Sequence, residues 1–151
     1  SIRTRFGPTL NAAARCELFS WRTTPEGRLA EILVLDQFSR NVYRDTARAF
    51  AQDALALALA QELVASGHDR SLPTAQRVFA YMPYMHSESA LIHEQALELF
   101  AQPGMENNLD FERRHKAITD RFGRYPHRNA VLGRTSTAEE LAFLSEPGSS
   151  F

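Results

Sequence analysis

The chain has 151 residues, is 44% apolar and carries a formal net charge of −1 at pH 7, seventeen Lys and Arg against eighteen Asp and Glu. That is the length and composition of one ordinary globular domain. No apolar run approaches the ~20 residues that span a bilayer, and the single cysteine, Cys16, excludes an internal disulfide. The near neutrality hides segregation: residues 1–44, 45–112, 113–134 and 135–151 sum to +3, −7, +6 and −3, so local fields of both signs can coexist. Ser1 to Arg5 is followed by no apolar stretch and does not read as a signal peptide. With the lone cysteine, this gives a cytoplasmic expectation.

Helix punctuation recurs along the chain and strand signals are few. A short helix is predicted from Pro8 to Glu17, ahead of Trp21. Thr24-Pro25-Glu26 supplies an N-cap, a proline at the first helical position and an acid in the first turn. The run it opens, “RLAEILVLDQFSRNVYR”, is apolar on most sides, which predicts a helix buried at the centre of the domain. Asp45 or Thr46 caps the next helix, rich in alanine, and Gly67 ends it. A helix starts at Pro73 and should stop at Pro83. Ser87 caps a helix over 88–102, with Ile92, Ala96, Leu99 and Phe100 on one face. Asn107 or Asn108 caps another over 109–122, with Phe111, Ile118 and Phe122 inward and Gly123 at its end. Thr137 and Glu140 form a capping box for a short last helix. Helices joined by short turns, without paired strand runs, predict an all-α single domain over 1–151, built of antiparallel helix pairs as a bundle or a short solenoid.

Three stretches place polar groups where chemistry can happen. In “LDQFSRNVYR”, Asp36 and Arg40 are spaced for a helix ion pair, with Asn41 and Arg44 close by. Because that helix is apolar nearly all round, the charges are either internal struts or groups facing a ligand. In “YMPYMHSE”, Pro83 precedes Tyr84, His86, Ser87 and Glu88: either a helix corner, or a broken helix with a His–Glu pair suited to acid–base work. In “RFGRYPHRNAVLGR”, Arg121, Arg124, His127, Arg128 and Arg134 crowd a turn fixed by Gly123 and Pro126. Guanidiniums grip carboxylates and phosphates through paired hydrogen bonds. Their partner is either the acids of 45–112, a ligand anion, or nucleic acid. Nucleic acid ranks last, because the pI is near 6.5 and no DNA or RNA motif is present. His86 and His93 lack a third ligand, so no metal is expected, and no nucleotide or redox-cofactor motif appears. Cys16 falls in an alanine-rich stretch and reads as packing.

Together with “RFGPTLNAAARCELFSW” and the tail “AEELAFLSEPGSSF”, these three stretches resemble an uncharacterised, mainly bacterial family, domain of unknown function nine hundred and twenty-four, from about Arg5 to Phe151. The resemblance implies a tetratricopeptide-like (TPR-like) right-handed helical array of about seven helices, and no reaction. Ser39 stands where the family pattern has proline, which leaves the shape of that helix open. Nothing before Ser1 matches the family's aromatic-rich first helix, so the chain is expected to lack an N-terminal helix of the full-length protein.

The three stretches are expected to converge on one cationic groove. It would bind an anionic small molecule or a carboxylate-bearing peptide through Arg40, Arg44, Arg124, His127 and Arg128, oriented by Asn41 and Asn129, with His86 at its edge and Tyr84 and Tyr125 packed on the ligand. The alternative is an acid–base enzyme, hydrolase-like, using His86 or His127 with Asp36 or Glu88. A base within hydrogen-bond reach of a carboxylate and facing an open hollow separates the two.

Overall fold

Thr24 starts the central helix by capping it. In the computed structural model, which describes residues 2–151, its hydroxyl accepts from the Gly27 N–H at 3.0 Å, and Pro25 takes the first helical position. Helix α2 runs Pro25–Leu33, a π turn covers Val34–Phe38, and α3, Ser39–Val42, completes the same rod. The apolar “ILVL” run is therefore helical, and its Ile32 and Leu35 are fully buried. Gly27 is required by a close approach: a Cβ there would collide with the carbonyl oxygen of Trp21. Gly27→Ala should cost ~1–3 kcal/mol, as overpacking does. Chemical denaturation checks this, and an unchanged midpoint would show that the turn before α2 can give way.

The remaining helices are α1 (Ile2–Ala14), α4 (Asp53–Ala65), α5 (Thr74–His86), α6 (Ala90–Phe100), α7 (Glu106–Phe122) and α8 (Ala138–Leu144), with 3-10 turns between several of them. Counting α2 and α3 as one rod, the described residues form seven helical rods and no strand. Helices α4 to α7 pack each against the next, the central rod packs on α4 and α5, and α1 packs on the π turn and α3. Ala56 and Ala60 are fully buried; small side chains let α4 approach its neighbours closely. Arg22 clamps the buried Glu31 with two hydrogen bonds of 2.8 and 2.7 Å, fixing the 3-10 turn Phe19–Thr23 to α2. Among the described residues no helix is long and apolar enough to cross a membrane.

Several boundaries differ from the sequence expectations, for reasons of packing or of backbone conformation. Helix α1 starts well before Pro8 and carries that proline inside, with Leu10 and Ala13 buried in the core. Cys16 is exposed at a left-handed position (φ 60°) beyond the end of α1, and does not pack inside. Helix α4 begins only at Asp53, because Asp45 adopts a left-handed φ of 63° and a 3-10 turn, Ala47–Phe50, follows. Helix α5 continues through Pro83 to His86. The proline removes one backbone donor, yet Tyr81, Pro83, Tyr84 and Met85 are all buried, so tertiary packing holds a turn that local preference would have ended. Helix α6 starts at Ala90, with the Ser87 hydroxyl accepting from the Ser89 N–H at 3.0 Å. Helix α7 starts at Glu106 and buries Glu112, His115, Ile118 and Thr119, while Phe111 is 51% exposed. The polar residues win the inward face because they have buried partners. The capping box of α8 forms as expected: the Thr137 hydroxyl accepts from the Glu140 N–H at 3.1 Å, and Glu140 accepts from the Thr137 N–H at 2.9 Å.

Candidate functional site

The π turn sets the site. It places Asp36 in the wall of the central rod, 1% exposed, and π turns of this kind insert an extra residue that re-aims side chains. Arg40, one turn on, spans two carboxylates. Its Nη1 donates to Oδ1 of Asp36 at 3.0 Å and to Oδ1 of Asp53 at 2.8 Å, and its Nη2 donates to Oδ2 of Asp53 at 2.9 Å. Asp53 opens α4, where the helix dipole favours a carboxylate. His86 ends α5, and its Nδ1 donates to Oδ1 of Asp36 at 2.7 Å. Burial alone would raise the Asp36 carboxyl, but His86, Arg40 and Arg128 outweigh it and hold it below the usual carboxylate range.

The third stretch closes this seam from the other side. Glu88, just past α5, accepts from both Nη1 and Nη2 of Arg134 at 3.0 Å and from the Tyr125 N–H at 2.7 Å. Although burial pushes Glu88 up, these donors hold it below its ordinary value. A second layer lies beneath. The Tyr125 hydroxyl donates to the Met85 carbonyl at 2.6 Å, His93 Nε2 donates to the Ser87 carbonyl at 2.6 Å, and His93 Nδ1 meets Glu112 at 2.5 Å. Burial raises the Glu112 carboxyl despite His93 beside it. This layer fixes the backbone of 85–88, and so the ring of His86.

Arg128, in the 3-10 turn Pro126–Arg128, is the exception to this pairing. It is 5% exposed, yet among the described residues its only close acceptor is the His86 carbonyl, 2.8 Å from Nη2. Its Nη1 stands 3.7 Å from Asp53 and 4.0 Å from Glu88, beyond hydrogen-bond length, and both carboxylates are engaged by Arg40 and Arg134. Its Nε is sealed from solvent and has no partner among the described residues. Burial lowers the Arg128 pKa, with Asp53 opposing and Arg40 reinforcing the shift. An ionised side chain buried with open donors is costly unless something fills them.

Two hollows flank this seam, and Phe50 lines both. The guanidinium carbons of Arg40 and Arg128 sit 5.3 and 4.4 Å from the centre of its ring. The first hollow, about 400 Å³, is lined by the polar His86, Ser87, Glu88, Asp53 and Arg128 and by Leu57, Pro83, Leu132 and alanines. The second, about 410 Å³, is lined by Gln37, Arg40, Asn41, Arg44, His127 and Phe151 among others.

The expected single cationic groove is thus two hollows, and the expected surplus of guanidinium shrinks to Arg128 and the exposed Arg44. Of the ten residues assigned to the groove, His86 and Arg128 line the first hollow; Arg40, Asn41, Arg44 and His127 line the second. The other four line neither hollow. Arg124 lies outside both hollows, its Nε and Nη2 donating to Glu140 at 2.9 and 2.7 Å, which draws that carboxyl down to about 2. Tyr84 is buried beside α4 and α6, against Val64 and Leu99. Tyr125 is fully buried, with its ring edge-on to Phe151. Asn129 is 1% exposed, donating to Ser136 at 3.0 Å and accepting from Arg134 Nε at 2.9 Å. No solvent-facing surface is left on Tyr125 or Asn129 to meet a ligand.

Between the two candidate bases the geometry separates clearly. His86 has a carboxylate on Nδ1, and its Nε2 has no protein partner among the described residues. Among the described residues His127 has no acid in contact and its Nδ1 is buried without a partner; its ring packs on Phe151, and burial pushes its pKa down to about 4. Asp53 and Phe50 were missed at the sequence level. Asp53 carried a faint signal, an acid opening an alanine-rich helix; Phe50 carried none. Among the described residues no group of three or more His, Cys, Asp or Glu is arranged to hold a metal ion.

Residues 1–148 match a family described as bacterial protein of unknown function (DUF924). A solved structure from Agrobacterium tumefaciens, the protein of unknown function ATU0120, is similar at 41% sequence identity with a TM-score of 0.89, covering 94% of this chain and 80% of that chain. No curated protein matches the sequence.

Proposed function

Since the chain belongs to the bacterial family of unknown function DUF924, its activity has to be read from its own site, and we propose that it is a helical binding domain whose first hollow takes a small anionic molecule. The observation that carries this is Arg128: a guanidinium 5% exposed, lining an open hollow of about 400 Å³, whose Nη1 has no acceptor within hydrogen-bond length among the described residues, Asp53 standing at 3.7 Å and Glu88 at 4.0 Å. A carboxylate or phosphate oxygen supplies the acceptor the protein withholds, and a charge-assisted bond to such a group is among the stronger ones. The volume is that of a small-molecule site. The apolar side chains in its lining, Leu57, Pro83 and Leu132 among them, suit an organic anion better than a bare inorganic one. Exposed Asn41 and Arg44 in the second hollow give a larger ligand further polar contacts.

Isothermal calorimetry with phosphate, butyrate and a short peptide with a free C-terminus tests the reading. Butyrate is expected to bind, with affinity falling at least about tenfold in Arg128→Met, roughly the loss of one charge-assisted hydrogen bond. Arg128→Lys, which keeps the charge, should lose less. A protein that gives no heat with any of the three at millimolar ligand, and whose thermal midpoint they leave unmoved, would reduce Arg128 to a strut. A response to the peptide alone would make the ligand a chain terminus and not a small molecule.

A further inference from the structure

Beside Arg128 stands a second unfinished group. His86 is held through Nδ1 by the buried, ionised Asp36 at 2.7 Å, which fixes the tautomer with the free lone pair on Nε2. The ring lines the same hollow as Arg128, and the two are joined by the bond from Arg128 Nη2 to the His86 carbonyl at 2.8 Å. An oriented base next to a donor without an acceptor is the pairing that acyl hydrolysis needs: one group to take a proton from the nucleophile, another to meet the oxygen on which charge develops. No hydroxyl lies within hydrogen-bond reach of Nε2 among the described residues; Ser87, its neighbour in the chain, uses its Oγ to accept from the Ser89 N–H. The nucleophile this geometry admits is therefore water. Ala47, Ala51, Ala54, Leu57 and Leu132 line the rest of the hollow and offer an apolar bed for a short acyl chain.

We propose that the first hollow is a hydrolytic centre for esters of short apolar carboxylic acids, with His86 as general base, Arg128 as oxyanion donor and Asp36 as the positioning residue. The inference rests on the anion-binding reading, because the carboxylate product occupies the same seat on Arg128 as the oxyanion. His86 Nε2 takes a proton from water while the water oxygen bonds to the acyl carbon. The carbonyl electron pair moves onto its oxygen, which lies against the Arg128 Nη1–H. Collapse of this intermediate restores the C=O bond and breaks the bond to the leaving alkoxide, which takes the proton back from Nε2. One ester and one water give one carboxylic acid and one alcohol, and Asp36 stays ionised throughout.

The test uses the full chain with p-nitrophenyl esters of acetate, butyrate, hexanoate and octanoate, alongside butyrate binding by calorimetry. Turnover that favours a short acyl chain, falls at least about a hundredfold in kcat/KM in His86→Gln, and returns in His86→Gly when imidazole is added would establish the centre. Asp36→Asn is expected to lower kcat with KM nearly unchanged, a split that mere loosening of the fold does not give. Turnover indifferent to His86→Gln would overturn the assignment. Butyrate binding without turnover would overturn the hydrolysis and leave the anion seat standing. The absence of both would overturn both.

Discussion

Arg40→Leu is expected to destabilise the protein by about 3–5 kcal/mol, the cost typical of breaking a buried ion pair from one side. Its guanidinium is the common partner of Asp36 and Asp53, at 3.0 and 2.8 Å. Without it, Asp36 keeps His86 and a long bond from Gln37 Nε2 at 3.4 Å, and Asp53 is left with Arg128 at 3.7 Å. Leucine fills much of the volume, so the loss comes from two under-compensated carboxylates and not from a cavity. The double variant Arg40→Leu/Asp53→Leu, which removes one of those charges, should recover part of it. Urea denaturation of the parent and the two variants measures this. A single variant within about 1 kcal/mol of the parent would mean that the seam is wet enough to solvate both acids.

The second large effect is acid sensitivity between pH 7 and 4. His115 and His127 pack on the ring of Phe151 with centroid distances of 3.9 and 4.3 Å, and burial, with Arg128 nearby, lowers both to about 4. In the unfolded chain each takes a proton near the ordinary histidine value of ~6.5. Between these limits the unfolded state binds more protons than the folded one. The stability is therefore complete above about pH 6.5 and falls as the pH drops towards 4, with a slope of up to ~1.4 kcal/mol per pH unit for each histidine. His127 is partly exposed and contributes the smaller share. Further down, protonation of Asp36 and Glu88, both held below their ordinary values, removes the seam's ion pairs. Denaturation midpoints at pH 7, 6 and 5 should fall steadily, and His115→Gln/His127→Gln should flatten the trend. An unchanged slope in that variant would assign the acid sensitivity to other groups.

Features settled within a few residues of one another are legible in the chain alone. The Thr24–Pro25 start, the buried apolar rod, Gly67 and Gly123 at helix ends and the capping box of α8 all follow from local backbone chemistry, and they fix the class as all-α. The Asp36–Arg40 pair was legible for the same reason, since one helical turn brings the two side chains together. The tertiary structure decided what depends on distant partners. Packing carried α5 through Pro83 and so brought His86, fifty residues on, against Asp36. The neighbours of α7 turned Glu112 and His115 inward ahead of Phe111. Above all, it decided which arginines are spent. Arg124 and Arg134 look no different from Arg128 in the chain, but Glu140 and Glu88 fold against the first two, while the nearest acids to Arg128 are already bound elsewhere. A guanidinium's partner is set by three-dimensional proximity of carboxylates far along the chain, and local spacing carries no record of it.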